Sequence, residues 1–388
     1  MEKLIHEIEN LLSSNPDSFH YSKQEVQPIL EIIARDSRFD IFFNHYHKLG
    51  AASGTFFKGE LDFPNQIIQR AKDIGAETTI NEILSYLDTD EVHIQYAFLL
   101  YGIDIDTEFT FSNNVRLINT SSLDDSSMKD FLFKSSTLTG GHNTALLITD
   151  YITQKDYYDN YSQRKADWTK VEVLNELMRK LDDTRLMLSL GRNYMYGIPV
   201  SAAFEVIPDH LQLFNMATPY HPFPEPRTAL GPPVIELELE KTEELLTKFN
   251  SLFLEDKEHI RVAAKRLNYS KIDPDWANKS INLRICLENL FYDRNSNGIA
   301  RTISERAPQY TNFSKSRARK IYKFLSGAIH TGVPQTHPTI KEIDVIQELH
   351  NTIIKYINLG AYPKWDKSIG EKNRWQKFRE CIKSLIAG

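Results

Sequence analysis

The chain has 388 residues, 41% of them hydrophobic and 25% charged, with a net charge of −6. That length points to two or three globular domains. The mild acidity excludes a chain coated in basic residues, so any nucleic-acid contact has to come from a local patch. Two cysteines, Cys286 and Cys381, are too few for a disulfide framework or a cysteine zinc site, and they suit a reducing cytoplasm. The first twelve residues mix acidic with apolar side chains, unlike a secretion signal, and no run approaches the ~20 apolar residues that span a bilayer. The expectation is a cytoplasmic protein with no membrane partner.

The first ninety residues read as helices. Residues 2–13 place Leu4, Ile5, Ile8, Leu11 and Leu12 on one side. A second helix is expected from Ser22 or Lys23 to Ile33, an apolar segment over 39–49, and further helices over 64–74 and 79–87. The chain then changes character. Residues 92–101 are β-branched and aromatic, and Phe109-Thr110-Phe111, a turn at 112–114 and Val115-Arg116-Leu117-Ile118 predict strand, turn, strand. Extended segments are also expected at 145–149, 185–190 and 201–206, with a helix at 168–181. Six prolines between 219 and 233 predict a stiff, extended connection.

Beyond 234 the periodicity is helical again, over 242–253, 259–267, 276–292, 298–307, 314–330, 340–357 and 371–386, with Gly332 placed as a C-terminal cap. The expected fold class is α+β: a helical region at 1–90, a β-containing α+β region at 91–233 that ends in the proline-rich connector, and a helical bundle at 234–388.

Three segments in the second half carry a resemblance, joined by a fainter one upstream. Ile285-Cys286-Leu287-Glu288-Asn289-Leu290-Phe291 is similar to the "xxLExLF" core helix of the Apea-like HEPN family. Ile303-Ser304-Glu305-Arg306-Ala307 resembles its "RxA" helix, and residues 321–330 (IYKFLSGAIH) resemble its signature "LYxxRSxxVH". Upstream, 98–105 and 114–117 look like the β-rich region that often precedes this helical domain. The match runs in order through most of 246–335 and more faintly through 92–215.

The resemblance implies an RNA-acting effector in prokaryotic antiviral defence or toxin-like growth arrest. It also implies a metal-independent endoribonuclease without cofactor, and a homodimer whose two signature motifs face each other. In such a site the 2′-hydroxyl of RNA attacks its own phosphate, a histidine exchanges a proton, and an arginine holds the phosphate oxygens. His330 falls on the family histidine. The arginine position, however, is Leu325, and the glycine after the histidine is displaced to Gly332. On a helix, His330, Ser326, Lys323 and Arg319 share one stripe. His330, Arg319 and Arg306 are therefore the catalytic candidates, and Lys323, Ser326, Arg317 and Lys320 the substrate-binding ones.

Each of these residues also has a plainer explanation. His330 suits the last turn of a helix, where the dipole favours a cation. Leu325 completes an apolar set with Ile321, Tyr322, Ala328 and Ile329. The basic run 315–320 can be a solvated helix face or a phosphate contact. Arg284 and Glu288 can be an exposed i,i+4 pair or a buried pair that orients His330. His45, His47, His210, His221 and His337 lack metal-site spacing and read as structural. Gly140-Gly141-His142 and Gly191-Arg192-Asn193 lack the context of a phosphate loop and read as turns.

The alternative to a nuclease is a HEPN module without catalysis, one that dimerises or binds RNA, nucleotide or a partner protein. A third possibility is a structural adaptor in a defence complex. An open, basic setting for His330 favours RNA action, and a His330 covered by the 340–357 helix favours the adaptor.

Overall fold

The computed structural model describes residues 1–43, 45–50, 54–57, 59–103, 105–123, 129, 132, 145–158, 168–192, 194–214, 220–222, 237–292, 298–331 and 339–363. The expected C-terminal helix at 371–386, Gly332, and the side chains of His221 and His337 lie outside the described residues, as do 140–142.

The fold is α+β, built on a six-stranded antiparallel sheet. Its central strand is β3 (Glu91–Leu100), which pairs with β6 (Ala145–Gln154) over its whole length, from Glu91 opposite Gln154 to Leu100 opposite Ala145. On its other edge β3 pairs with β8 (Val200–Val206). The sheet extends on one side through β5 (Val115–Asn119) to β4 (Phe109–Thr110) and on the other to β9 (Tyr220–Pro222). The β4–β5 turn is the expected one, with Asn114 at φ 60° and the Asn113 side chain accepting from the Val115 amide at 3.2 Å.

Alternation sends Tyr96, Phe98 and Leu100 into one core, and Ala97 and Leu99 into a second with Ile118, Ile148 and Phe204. Because both faces are covered, all seven residues of β8 are buried. A smaller sheet joins β2 (Gly54–Phe56), β1 (Tyr46–Lys48) and β7 (Asp156–Tyr158).

The N-terminal helices α1 (Glu2–Ser14), α2 (Lys23–Ile33), α3 (Asp62–Ile74) and α4 (Ala76–Asp88) close over an aromatic core. Phe42 stacks on Phe63 with ring centroids 4.2 Å apart. Phe214, from the short turn Asp209–Phe214, stacks on Tyr86.

His47 sits inside this box, fully buried. Its Nε2–H donates to the Ile41 carbonyl at 2.9 Å, and its Nδ1 accepts from the Tyr86 hydroxyl at 3.2 Å. Burial lowers its pKa to about 3. Both ring nitrogens are engaged, so its role is structural.

Helix α5 (Trp168–Gly191) corrects the sequence reading. Residues 185–190, expected as a strand, continue the helix. Residues 183–190 are buried throughout, Arg185 and Ser189 included, so this half has no solvent-facing stripe. A short apolar run of that kind cannot be told from a buried strand by pattern. Its polar groups are met by ion pairs: Arg185 with Asp182 at 2.5 Å, and Asp183 with Arg261 at 2.5 Å.

Arg261 belongs to α7 (Leu254–Ile272), which follows α6 (Leu239–Asn250). The bundle continues through α8 (Trp276–Phe291), α9 (Ile299–Arg306), α10 (Lys315–Thr331) and α11 (Glu342–Leu359). The apolar core crosses from the sheet into this bundle without a break, joining Phe98 and Leu147 to Leu181, Leu267, Leu287 and Leu325. No helix among the described residues is long and apolar enough to cross a membrane.

Candidate nucleic-acid interface

The signature segment forms α10, and its register follows from its sequence. The Ser314 hydroxyl accepts from the Arg317 amide at 3.2 Å and opens the helix. Ala318, Ile321, Tyr322, Leu325 and Ala328 recur at helical spacing and are buried against α8 and α9. Leu325 is 1% exposed. The position that holds arginine in the resembled family therefore points into the core, where an unpaired charge would cost several kcal/mol.

The opposite side of α10 is open. Arg319, Lys320, Lys323 and His330 are all exposed, with no hydrogen bond or ion pair among the described residues. At ~1.5 Å rise per residue the stripe from Arg319 to His330 is about 16 Å long. Ser326 lies between them, half-buried, its hydroxyl turned back onto the Tyr322 carbonyl at 2.7 Å.

The other candidates are committed elsewhere. Arg317 reaches Asp344 at the start of α11, at 2.9 Å. The Arg306 side chain is half-buried and donates to the Phe291 carbonyl at the end of α8, at 3.2 Å. The structure thus gathers Arg319, Lys320, Lys323 and His330 on one face, and it leaves Arg306 and Arg317 as ties within the bundle.

The Arg284–Glu288 pair fits neither expectation. Arg284 Nε donates to Glu288 at 2.7 Å, Arg284 Nη2 donates to the Tyr322 hydroxyl at 3.0 Å, and that hydroxyl donates to Glu288 at 2.8 Å. This half-buried triangle fastens α10 to α8 and leaves His330 alone. Through it, the back of α10 is fixed while the basic face stays clear.

Among the described residues, no three His, Cys, Asp or Glu side chains are gathered as a metal site requires. A groove of about 580 Å³ lies in the N-terminal unit, lined by Gln66, Gln69, Arg70, Asp73, Glu82 and Asp209. Its Arg70 is already neutralised by Glu82, through bonds of 3.0 and 2.8 Å.

One group escaped sequence reasoning. Lys271 meets His350 at 3.2 Å and the charge of Arg192 acts on both, although the three stand on separate segments. Gly191 ends α5 and Arg192 follows it in a bend, while Asn193, the third residue of the expected turn, lies outside the described residues. Nothing in it signals that Lys271 and His350 would meet there. The only local hint is a pair of glycines flanking the turn. A Cβ on Gly191 would lie 2.5 Å from Thr242 Oγ1, and one on Gly197 would lie 2.8 Å from the Asn268 carbonyl oxygen. The loop is pressed onto α6 and α7 at both ends.

Comparison of the chain with family models, with curated proteins and with solved structures finds no match.

Proposed function

We propose that the chain is an RNA-binding protein with a HEPN-like helical unit, and that it grips the RNA backbone with the exposed face of α10. One observation carries this reading: Arg319, Lys320, Lys323 and His330 stand in water on a single stripe with no described partner. Such cations hold loosely bound counterions and exchange them for phosphates with a gain in entropy. The choice of RNA over DNA rests on the resemblance. So do the setting in prokaryotic antiviral defence or toxin-like growth arrest and a defence partner protein, while a cytoplasmic location rests on the sparse cysteines.

Cleavage is the narrower form of the same reading, and the open position of His330 favours it. His330 can take the proton of a 2′-hydroxyl or return one to the leaving oxygen, without metal. A cation must also hold the phosphate. On α10, among the described residues, the nearest free cation, Lys323, is about 10 Å along the helix from His330. Leu325 is in the core, and Arg306 and Arg317 are engaged. In this reading a second copy of the chain brings its own Arg319 or Lys323 opposite His330, as the homodimer implied by the resemblance would with α10 facing α10.

The test is incubation of cellular RNA with the purified full chain in EDTA, with binding followed in parallel, for wild type and His330→Ala. Binding with no cutting by either supports a binding module. Cutting by wild type alone supports the dimeric nuclease. Absence of both binding and cutting overturns the proposal.

A further inference from the structure

We propose that Arg192, just after α5, Lys271 of α7 and His350 of α11 form a binding site for a phosphate group carried by a small molecule. The inference goes beyond the RNA reading and does not rest on it.

Arg192 is 3% exposed, and none of its three guanidinium nitrogens has a hydrogen-bond partner among the described residues. A guanidinium stays charged at neutral pH and carries five N–H donors. Native interiors rarely leave such a group unmet, because its hydration is lost with nothing in exchange. The same core shows the ordinary solution a few residues away, where Arg185 is met by Asp182 and Arg261 by Asp183. Arg192 has no carboxylate among the described residues. Its only described neighbour of the right kind is the Tyr196 ring, whose centroid lies 5.3 Å from the guanidinium carbon.

Tyr196 beside Arg192 and Cys286 beside Lys271 are weak acids, and burial pushes the Cys286 thiol up, so the charged groups here at neutral pH are cations. Lys271 keeps part of its stem near the surface and turns its ammonium inward, onto the Ser189 carbonyl at 3.4 Å and His350 Nδ1 at 3.2 Å. His350 is 3% exposed and meets the Tyr194 ring edge-on. Since Nδ1 accepts from Lys271, the proton of neutral His350 is on Nε2, which is then a further donor. Lys241 on α6 adds its field to His350, while holding Glu238 at 3.2 Å.

Burial, then the charge of Arg192, pushes the Lys271 ammonium down to about 7, and burial pulls Arg192 down to about 10. Among the described residues no carboxylate acts on Arg192, Lys271 or His350.

A buried guanidinium fork without a partner, next to an ammonium that meets an imidazole, with no counter-ion among the described residues, makes an oxyanion site. The fork suits the two-oxygen edge of a phosphate, and a doubly charged group best offsets two cations. The ligand is small because the site lies one side chain below the surface, under Tyr196, which is 38% exposed. Tyr194 and Tyr196 offer aromatic faces to whatever the phosphate carries.

The experiment is thermal unfolding of the full chain in inorganic phosphate or adenosine 5′-monophosphate, against chloride at equal ionic strength. The expected result is a rise of roughly 2–5 °C at saturation. Arg192→Met and Lys271→Met are expected to melt at or above wild type without ligand, because each removes an uncompensated charge, and to lose the rise. A greater rise with the nucleotide names a nucleotide as the source, and an equal rise names free phosphate.

Arg319→Ala/Lys323→Ala on α10 keeps the full response, which separates this site from the RNA face. Arg192→Lys preserves charge without the fork and is expected to bind phosphate at least about tenfold more weakly. That arm decides the matter if either methionine variant fails to fold. The proposal is overturned if neither probe raises the wild-type midpoint, if Arg192→Met retains the rise, or if Arg192→Lys binds as tightly as wild type.

Discussion

Helix α10 and the loop after α5 carry the same kinds of side chain under opposite conditions. On α10, Arg319, Lys320, Lys323 and His330 stand in water, while Arg192 and His350 are each 3% exposed and Lys271 turns its ammonium in to join them. In water a lone cation costs almost nothing and gains little from a partner, about 0–1 kcal/mol for an exposed pair. A helix can therefore present four and exchange their counterions for a long polyanion. Out of water the same charge costs several kcal/mol unless met, so a cluster without carboxylates is under strong pressure to take an anion. The contrast assigns the two groups different ligands: an extended backbone for the open stripe, and a single compact phosphate for the closed cluster.

The comparison breaks most sharply at Leu325. Restoring the arginine of the resembled family, Leu325→Arg, forces a cation into a core position with no partner, and is expected to cost at least about 3 kcal/mol in urea denaturation. A loss under about 1 kcal/mol would show that this side chain can escape to the open face, and that the distinction between buried and open positions on α10 is wrong.

The next effect comes from His47. Its folded pKa of about 3 lies below its unfolded value near ~6.5, so protonation favours the unfolded chain. Stability is therefore full above pH ~6.5 and falls as pH drops toward 3, by about 2 kcal/mol at pH 5 from this group alone. His47→Phe is expected to shrink the loss measured between pH 7 and pH 5. An unchanged loss would place the acid-sensitive burial elsewhere.

Lys271 acts in the alkaline range. Its folded pKa of about 7 lies below the unfolded ~10.4, so the unfolded chain binds the extra proton between those values. Stability is expected to rise from pH 7 to pH 9 by on the order of 1–2 kcal/mol, and Lys271→Met should flatten the rise. Saturating phosphate, by favouring the charged ammonium, should flatten it too. A rise that persists in Lys271→Met would remove Lys271 from the cluster's electrostatics.

How much of this was legible in the sequence depended on whether a segment has a wet face. α1, α2 and α10 do, and their apolar spacing gave their positions within a residue or two. The burial of Leu325 was readable for the same reason, since Ile321, Tyr322 and Ala328 mark the inward face. The second half of α5 has no wet face, and there the pattern misled.

Within the candidate site, the sequence placed Arg319, Lys323 and His330 on one stripe. It could not tell that Arg317 and Arg306 would be drawn off by Asp344 and by the Phe291 carbonyl, because those partners lie on other helices. The Arg192 cluster was illegible for that reason in stronger form. Its members are scattered over α11, α7 and a loop, and only packing brings them together.

The open stripe is the central claim, and the most direct measurement is the salt dependence of RNA binding. Fluorescence anisotropy of a labelled single-stranded RNA, titrated with the full chain at several KCl concentrations, gives the slope of log K against log salt. Removing two phosphate contacts with Arg319→Ala/Lys323→Ala is predicted to make the slope shallower by about 1.4 and to weaken binding at low salt. An identical slope and affinity in the double variant, or no RNA binding by wild type, would contradict the account.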